Sequence, residues 1–419
     1  MDYRIDFEAR DLLYFGDGLQ ADGSTAGSGV NWPLPSIVNS ALIAAMHNGL
    51  EDDVQKIESR HSAEHYNKRE LRKGASVRYT FGGVQTVGPF PFKDGKMYVP
   101  IPADIQAGKD GGFALMRLIP SQGGGNLPRP LNHLVAPSLP PSKETPGNWI
   151  SVDDLEKYLD GNCNIKPMKN SEFYGVERRV GIGINPDTLS TEEGKFYSAE
   201  YMRLQSGVSL RVYATYNASG YQGRNATDMM AKAMEKDVFS AIRLGGQAGI
   251  VFRKEMRKED IALSPVTPTR FVKWILLTPA IFGYTPKEVA DASSIEGWRP
   301  GFVDKETGKV HLKTEVPRAN LPRDEWRKLV NEAPEIDARL IAARIPKHNV
   351  ASGWKLGASA GQPKPTRRIV PAGSVFYFEC ADDDNAKSLI TALHARSRSD
   401  ECGEQGFGFG VCGNFEISK

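Results

Sequence analysis

The residues best suited to chemistry are His61 and His65, four apart with a glutamate beside the second, in His61-Ser62-Ala63-Glu64-His65. On a helix the two imidazoles share one face, and H-x-x-E-H is the pattern of an inverted zinc protease. Zinc hydrolysis also requires a third protein ligand and a water-excluding cavity. The flanks Lys56, Glu58, Arg60, Lys68, Arg69, Glu70 and Arg72 read as a solvated helix face, so no metal is expected. Asp382-Asp383-Asp384 could hold a divalent ion for phosphodiester cleavage, but it opens a predicted helix, where aspartate caps exposed N–H groups and suits the dipole. Four cysteines, Cys163, Cys380, Cys402 and Cys412, lack Cys-x-x-Cys spacing and suit a reducing cytoplasm. No Ser/His/Asp or Cys/His arrangement has supporting context. The expectation is a chain without catalysis or cofactor.

Binding chemistry has stronger candidates. Gly406-Phe407-Gly408-Phe409-Gly410 alternates glycine with phenylalanine, and glycine serves where backbone approaches something closely or adopts φ > 0. It is either a tight connection whose phenylalanines finish the core, or a loop of exposed N–H groups fitted to a polyanion, with aromatic faces for base stacking. No Gly-Lys-Ser/Thr follows, so it is not a nucleotide P-loop. Upstream, Lys347, Lys355, Lys364, Arg367 and Arg368 are interleaved with Trp354 and prolines. That composition fits a solvated loop or a mobile basic arm for single-stranded phosphates. Gly245-Gly246-Gln247 matches the tip of peptide-release factors as a tripeptide only, and is expected to turn a helix into a strand.

These residues need elements to position them. Asp382 to Ser397 carries Ala386, Leu389, Ile390 and Leu393 at helical spacing, between the strand-like Val375 to Glu379 and Val411 to Ile417. Strand, helix, glycine loop, strand is the back half of a βαββαβ unit. An N-terminal strand, a Gly-rich loop over residues 16–29 and a helix from Pro35 to about Gly49, capped by Ser36, open the chain. Val176 to Ile184 and Lys195 to Leu204 form a hairpin joined by turn residues. Ser209 to Tyr216 is a strand, Ala226 to Ile242 helical, and Ala248 to Phe252 and Arg270 to Leu277 are strands. With 419 residues, 40% of them hydrophobic, the chain can build two domains with cores. No segment is apolar for long enough to span a membrane, and Met1-Asp2-Tyr3-Arg4 leads into a strand pattern rather than a secretory signal. The net charge of +2 leaves nucleic-acid binding to a local patch.

The ordered blocks resemble a known family. Arg367 to Glu379 with Gly406 to Gly410 looks like the C-terminal signature of the RAMP superfamily of CRISPR-associated proteins, and more specifically the third subunit of the type III-B (Cmr) complex. Tyr14-Phe15-Gly16, Trp32-Pro33-Leu34-Pro35-Ser36, Gly88-Pro89-Phe90, Tyr98 to Asp104, Glu177 to Asn185, Leu244 to Gln247, Leu276 to Ala280 and Gly353-Trp354 continue the match in the same order. Ser40, Ile43 and Gln247 depart from what relatives carry.

The resemblance implies an α+β chain of two ferredoxin-like (RRM-like) domains with long insertions, at 1–206 and 207–419, the hairpin at about 176–205 serving as a thumb. It implies a non-catalytic subunit that caps the 5′ handle of a crRNA, contacts the large polymerase-like subunit and the first backbone subunit, and meets target RNA only through the guide. Arg178 and Arg179 would grip RNA from the thumb, since guanidinium forks bind phosphate and stack on bases. Lys355, Arg367 and Arg368 would be phosphate ligands. Gly406, Gly408 and Gly410 would be close-approach backbone, with Phe407 and Phe409 as stackers or core. Two rival readings remain: a crRNA-processing endoribonuclease using His47, His348 or His394, and a scaffold without RNA contacts.

Overall fold

A computed structural model describes residues 2–16, 32–50, 83–121, 126–140, 142–185, 187–188, 190–216, 228–284, 295–317, 321–355, 362–363 and 366–417. The His61-Ser62-Ala63-Glu64-His65 motif, Lys364, and the side chains of Trp354 and Lys355 lie outside the described set.

The protein mixes α and β structure, with sheet predominating. In chain order the elements that matter are β1 (Tyr3–Ala9), α1 (Pro35–Gly49), β2 (Val84–Lys93), β3 (Lys96–Pro100), β4 (Trp149–Ser151), α2 (Val152–Leu159), β5 (Tyr174–Ile184), β6 (Thr191–Leu204), β7 (Ser209–Tyr216), α3 (Met229–Glu235), β8 (Ala241–Arg243) and β9 (Ile250–Arg257). There follow β10 (Phe271–Leu276), α4 (Arg323–Glu332), β11 (Ala338–Arg344), β12 (Asn349–Ala351), β13 (Arg367–Ile369), β14 (Val375–Cys380), α5 (Asp383–Leu393), β15 (Arg396–Ser397) and β16 (Phe409–Asn414).

Two antiparallel sheets result, ordered β8-β9-β1-β7-β2-β3-β4 and β11-β14-β10-β16-β15. β5 and β6 form a two-stranded sheet of their own, a long hairpin bridged to Leu13 through Met202, and β12 pairs with β13. The expected division at 206/207 is not where the sheets divide. Val212 of β7 lies opposite Ile5, and Met256 of β9 flanks Ile5 on its other side, so the first sheet runs on to Arg257. The second sheet begins at Phe271.

Period-2 alternation sorts side chains into layers. Tyr3, Ile5 and Phe7 of β1 and Leu210, Val212 and Ala214 of β7 pack under α1 and α3. Val272, Trp274 and Leu276 of β10 and Phe376, Phe378 and Cys380 of β14 pack under α5. Opposite faces meet in a shared core, where Val87, Phe90 and Tyr213 of the first sheet join Ile275, Val375, Tyr377 and Val411 of the second. Among the described residues, the central strands of both sheets are therefore packed on both faces.

Local expectations fared unevenly. Ser151 caps α2 by accepting from Asp154 N, and Asp382 caps α5 by accepting from Asn385 N. For α1 the cap is Leu34 with no side-chain bond, because Pro35 takes the first helical position and moves Ser36 inside. The predicted helix 226–242 is shorter: Asp228 caps it, Asp237 turns out at φ 55°, and Ala241–Arg243 is a strand. Gly245-Gly246-Gln247 thus joins two strands rather than a helix and a strand. Among the described residues no helix is long and apolar enough to cross a membrane.

Candidate functional site

A cleft of about 290 Å³ opens where the two sheets, α1 and the hairpin root meet. One wall comes from Trp32-Pro33-Leu34-Pro35, which enters α1, and from Gly88-Pro89-Phe90 of β2. Pro35 has no N–H, and no side chain caps the first turn, so the positive helix end adjoins the cleft without a built-in anion. Trp32 donates from Nε1 to the Pro89 carbonyl at 2.7 Å, and its ring meets Trp149 edge-on at 5.2 Å and Tyr174 at 6.0 Å. Trp149 in turn donates to Asn170 Oδ1 at 2.7 Å. The indoles are held in place from both ends. Asn148 and Asn170 add amides to this aromatic wall.

The facing wall is Leu277-Thr278-Pro279, Asn349-Val350, Ile369 and Pro371-Ala372. Behind it lies the glycine loop, and of its two alternative readings the exposed, polyanion-facing one does not fit, since Gly406 to Gly410 is buried throughout. A Cβ on Gly406 would sit 2.7 Å from the Thr86 carbonyl, one on Gly408 2.3 Å from Ser399 N, and one on Gly410 2.4 Å from Trp274 Nε1. The close approach is made to the protein's own backbone and side chains. Phe407 and Phe409, 2% and 1% exposed, fill cores and are not available to stack on bases. Thr278 Oγ1 donates to the Gly406 carbonyl at 2.7 Å and accepts from Phe409 N at 2.9 Å. Thr86 Oγ1 donates to the Gln405 carbonyl at 3.2 Å. The loop thereby fastens β16 to β2 and sets the back of the cleft.

The predicted arginines stand on strands that contribute residues to this cleft. Tyr174, which lines it, begins β5, and Arg178 and Arg179 stand exposed further along the same strand. Arg178 Nε donates to Ser198 Oγ at 3.2 Å, while Arg179 pairs with Glu177 at 2.9 Å. Val176, Val180, Ile182 and Ile184, on the same face of the strand as Arg178, are exposed β-branched residues, each half or more exposed. On the opposite side Arg368 is exposed on β13, opposite Val350, which lines the cleft. Arg367, one residue away, is partly buried and pairs with Glu401 at 3.1 Å. The backbone of Lys355 follows β12 closely in sequence and pairs with Gln362.

The pairs Asn148-Trp149 and Asn170/Tyr174 escaped the sequence reading because no local pattern marks them. A usable signal existed, since Trp32 to Pro35, Gly88 to Phe90 and Leu277 to Pro279, three of the blocks that carry the family resemblance, line this one cleft.

Of the three histidines considered for catalysis, His394 is engaged structurally. Its Nδ1 accepts from Cys412 N at 3.1 Å and its Nε2 donates to the Leu263 carbonyl at 3.1 Å, so the ring is neutral, and burial lowers its pKa. The unfolded chain then binds more protons just below pH 6.5, and stability from this group is lost as the pH falls through that window. The expected result is a drop in the urea midpoint on acidification that shrinks in His394→Asn. An unchanged pH slope in that variant would refute the neutral-ring assignment. Among the described residues no cluster of three His, Cys, Asp or Glu could hold a metal.

No curated protein matches the sequence at a significant level. Among solved structures, a chain of the Type III-B Cmr-beta bound to cognate target RNA and AMPPnP is similar, with 12% identity, 89% of this chain and 86% of that chain covered, and a TM-score of 0.41. A chain of the Csm3-Csm4 subcomplex in the type III-A CRISPR-Cas interference complex is also similar, at 11% identity, 91% and 94% coverage and a TM-score of 0.37. Residues 5–415 match the family described as CRISPR-associated protein (Cas_Cmr3), nearly the whole chain. By that match this chain belongs to the Cas_Cmr3 family of CRISPR-associated proteins, the RAMP-type family that its ordered motifs resemble.

Proposed function

We propose that this chain is a non-catalytic, cytoplasmic RNA-binding subunit of a type III-B CRISPR (Cmr) effector complex that caps the 5′ handle of the crRNA. In that complex it docks against the large polymerase-like subunit and the first backbone subunit, and target RNA is read by base pairing with the guide. The observation that carries the reading is convergence: family blocks spread from Phe15 to Ala372 line one aromatic cleft at the root of the arginine-bearing hairpin. A cleft of that size suits a single nucleotide, with aromatic walls for a base and a helix N-terminus for a phosphate. Two ferredoxin-like units are part of the proposal. The orders β9-β1-β7-β2 and β11-β14-β10-β16 follow the strand arrangement of a βαββαβ unit, although α4, in the first crossover of the second unit, is largely exposed. The chain divides between them at 257–271 rather than at 206/207.

The test is co-expression of the tagged chain with its neighbouring genes and a CRISPR array, then sequencing of the co-purified RNA. Guides with one constant 5′ end are expected. Arg368→Glu is expected to lower their retention about tenfold or more, because an exposed phosphate ligand becomes repulsive. Arg367→Glu confounds binding with stability, since it faces Glu401. Retention unchanged by Arg368→Glu and by Arg178→Glu plus Arg179→Glu would leave only a scaffold. Cleavage of array transcripts by the chain alone, lost in His348→Ala, would mean an endoribonuclease instead.

A further inference from the structure

The turn joining β8 to β9 carries unusual exposed backbone. Gln247 and Ala248 are consecutive non-glycine residues at φ 52° and 56°, and Gly249 N closes the turn on the Gly246 carbonyl at 3.2 Å. This is the geometry of a type I′ turn, for which Asn-Gly is the relaxed choice. All four residues from Gly245 to Ala248 are exposed, and strain kept at an exposed position points to use rather than packing.

The turn borders an aromatic strip. Gly246 N donates to the Tyr14 carbonyl at 3.0 Å, and a Cβ on Gly246 would lie 2.9 Å from the Tyr14 ring. Tyr14 tilts against Tyr201 of β6 with centroids 5.5 Å apart, and the Arg179 guanidinium lies 5.7 Å from the Tyr201 centroid. Both tyrosines are partly exposed, and the next residues, Phe15 and Gly16, line the cleft. Charge here is balanced, since Glu177 pairs with both Arg179 and Arg203, and Asp11 with Arg203.

The geometry points to a second platform, Tyr14, Tyr201, Arg179 and the Gln247 turn, that stacks one or two bases of single-stranded RNA continuing out of the cleft. It rests on the RNA-binding reading above. Flat aromatic and guanidinium faces favour bases, and a charge-balanced surface gains little from phosphate. Its contribution is therefore stacking, with little dependence on salt.

The test uses the assembled complex and a guide RNA carrying 4-thiouridine near its 5′ end. Photo-crosslinks are expected on Tyr14 or Tyr201. Tyr201→Ala is expected to weaken RNA affinity about tenfold with an unchanged slope of log K against log salt, and Tyr201→Phe to bind like the parent. If Tyr201→Ala proves poorly folded, Gln247→Gly serves. It relaxes the turn and is expected to raise the melting temperature while lowering affinity about two- to fivefold. Parental affinity in Tyr201→Ala, a changed salt slope, or a stabilised Gln247→Gly with full affinity would overturn the platform. A parent complex that holds no RNA would instead overturn the reading beneath it.

Discussion

Asp104→Ala is expected to destabilise the folded protein by about 3–5 kcal/mol, because it strips the partner from a buried cation. Asp104 and Lys273 are 2% and 1% exposed, with Lys273 Nζ 4.0 Å from Oδ2. The same carboxylate accepts from Tyr158 at 2.7 and 2.9 Å and from Tyr377 at 2.8 Å, and the ammonium lies 3.6 Å from the Tyr158 centroid. Asp104 follows β3, Tyr158 belongs to α2, and Lys273 and Tyr377 belong to the second sheet. The knot therefore ties α2 and the segment after β3 to the second sheet. Removing the carboxylate leaves an ammonium and two hydroxyls in a dry interior. Lys273→Met leaves the Asp104 carboxylate without its cation but still accepting from Tyr158 and Tyr377, so it is expected to be milder, and the double variant to be less damaged than the two effects summed. Equal, additive losses in a denaturation-based double-mutant cycle would count against the coupling. Burial also lowers the Lys273 pKa, so between its folded and unfolded values the unfolded chain binds more protons and stability rises with pH. Tyr158 and Tyr377, pushed well above the ordinary phenol value by burial, act oppositely and lose stability at the most alkaline pH.

What the sequence displayed is what short-range chemistry determines. Phe271–Leu276 and Val375–Cys380 read as strands from their β-branched and aromatic runs, and Asp383–Leu393 as a helix from its cap and its buried stripe. The arms of the hairpin followed from two strand-like runs and the Asn185-Pro186-Asp187 turn between them. Pairing was not displayed, because Ile5 and Val212 carry no local mark of being opposite one another. The continuation of the first sheet past the expected 206/207 division was hidden for that reason. The cleft was hidden by the same gap: Trp149 donates to Asn170 within one insertion, yet faces Trp32 from another part of the chain. The alternation of glycine and phenylalanine was visible, but whether its close approach served a ligand or the protein depended on Thr86 and Trp274, far away in sequence, as well as on nearby Ser399.

That distinction yields the second large effect. Gly408→Ala is expected to cost about 3 kcal/mol or more of stability rather than to give a folded protein that has lost RNA. Gly408 sits at φ +71°, and its Cβ would meet Ser399 N at 2.3 Å and Ser399 Cα at 2.8 Å. The left-handed conformation alone disfavours alanine by about 1–2 kcal/mol. The obstacle is backbone, which no rotamer change can clear, and forced packing adds about 1–3 kcal/mol. Gly95 supplies the control, since it stands at φ +76° with nothing within 4 Å of its Cβ, so Gly95→Ala should show the conformational part by itself. Chemical denaturation of the two variants separates strain from collision. If Gly408→Ala unfolded no more readily than Gly95→Ala while RNA retention fell, the loop would be a ligand surface after all. If its midpoint falls and the fraction still folded retains RNA, the glycine acts by letting the loop lie against the Ser399 backbone. The glycine loop then serves binding only through the shape of the cleft it closes.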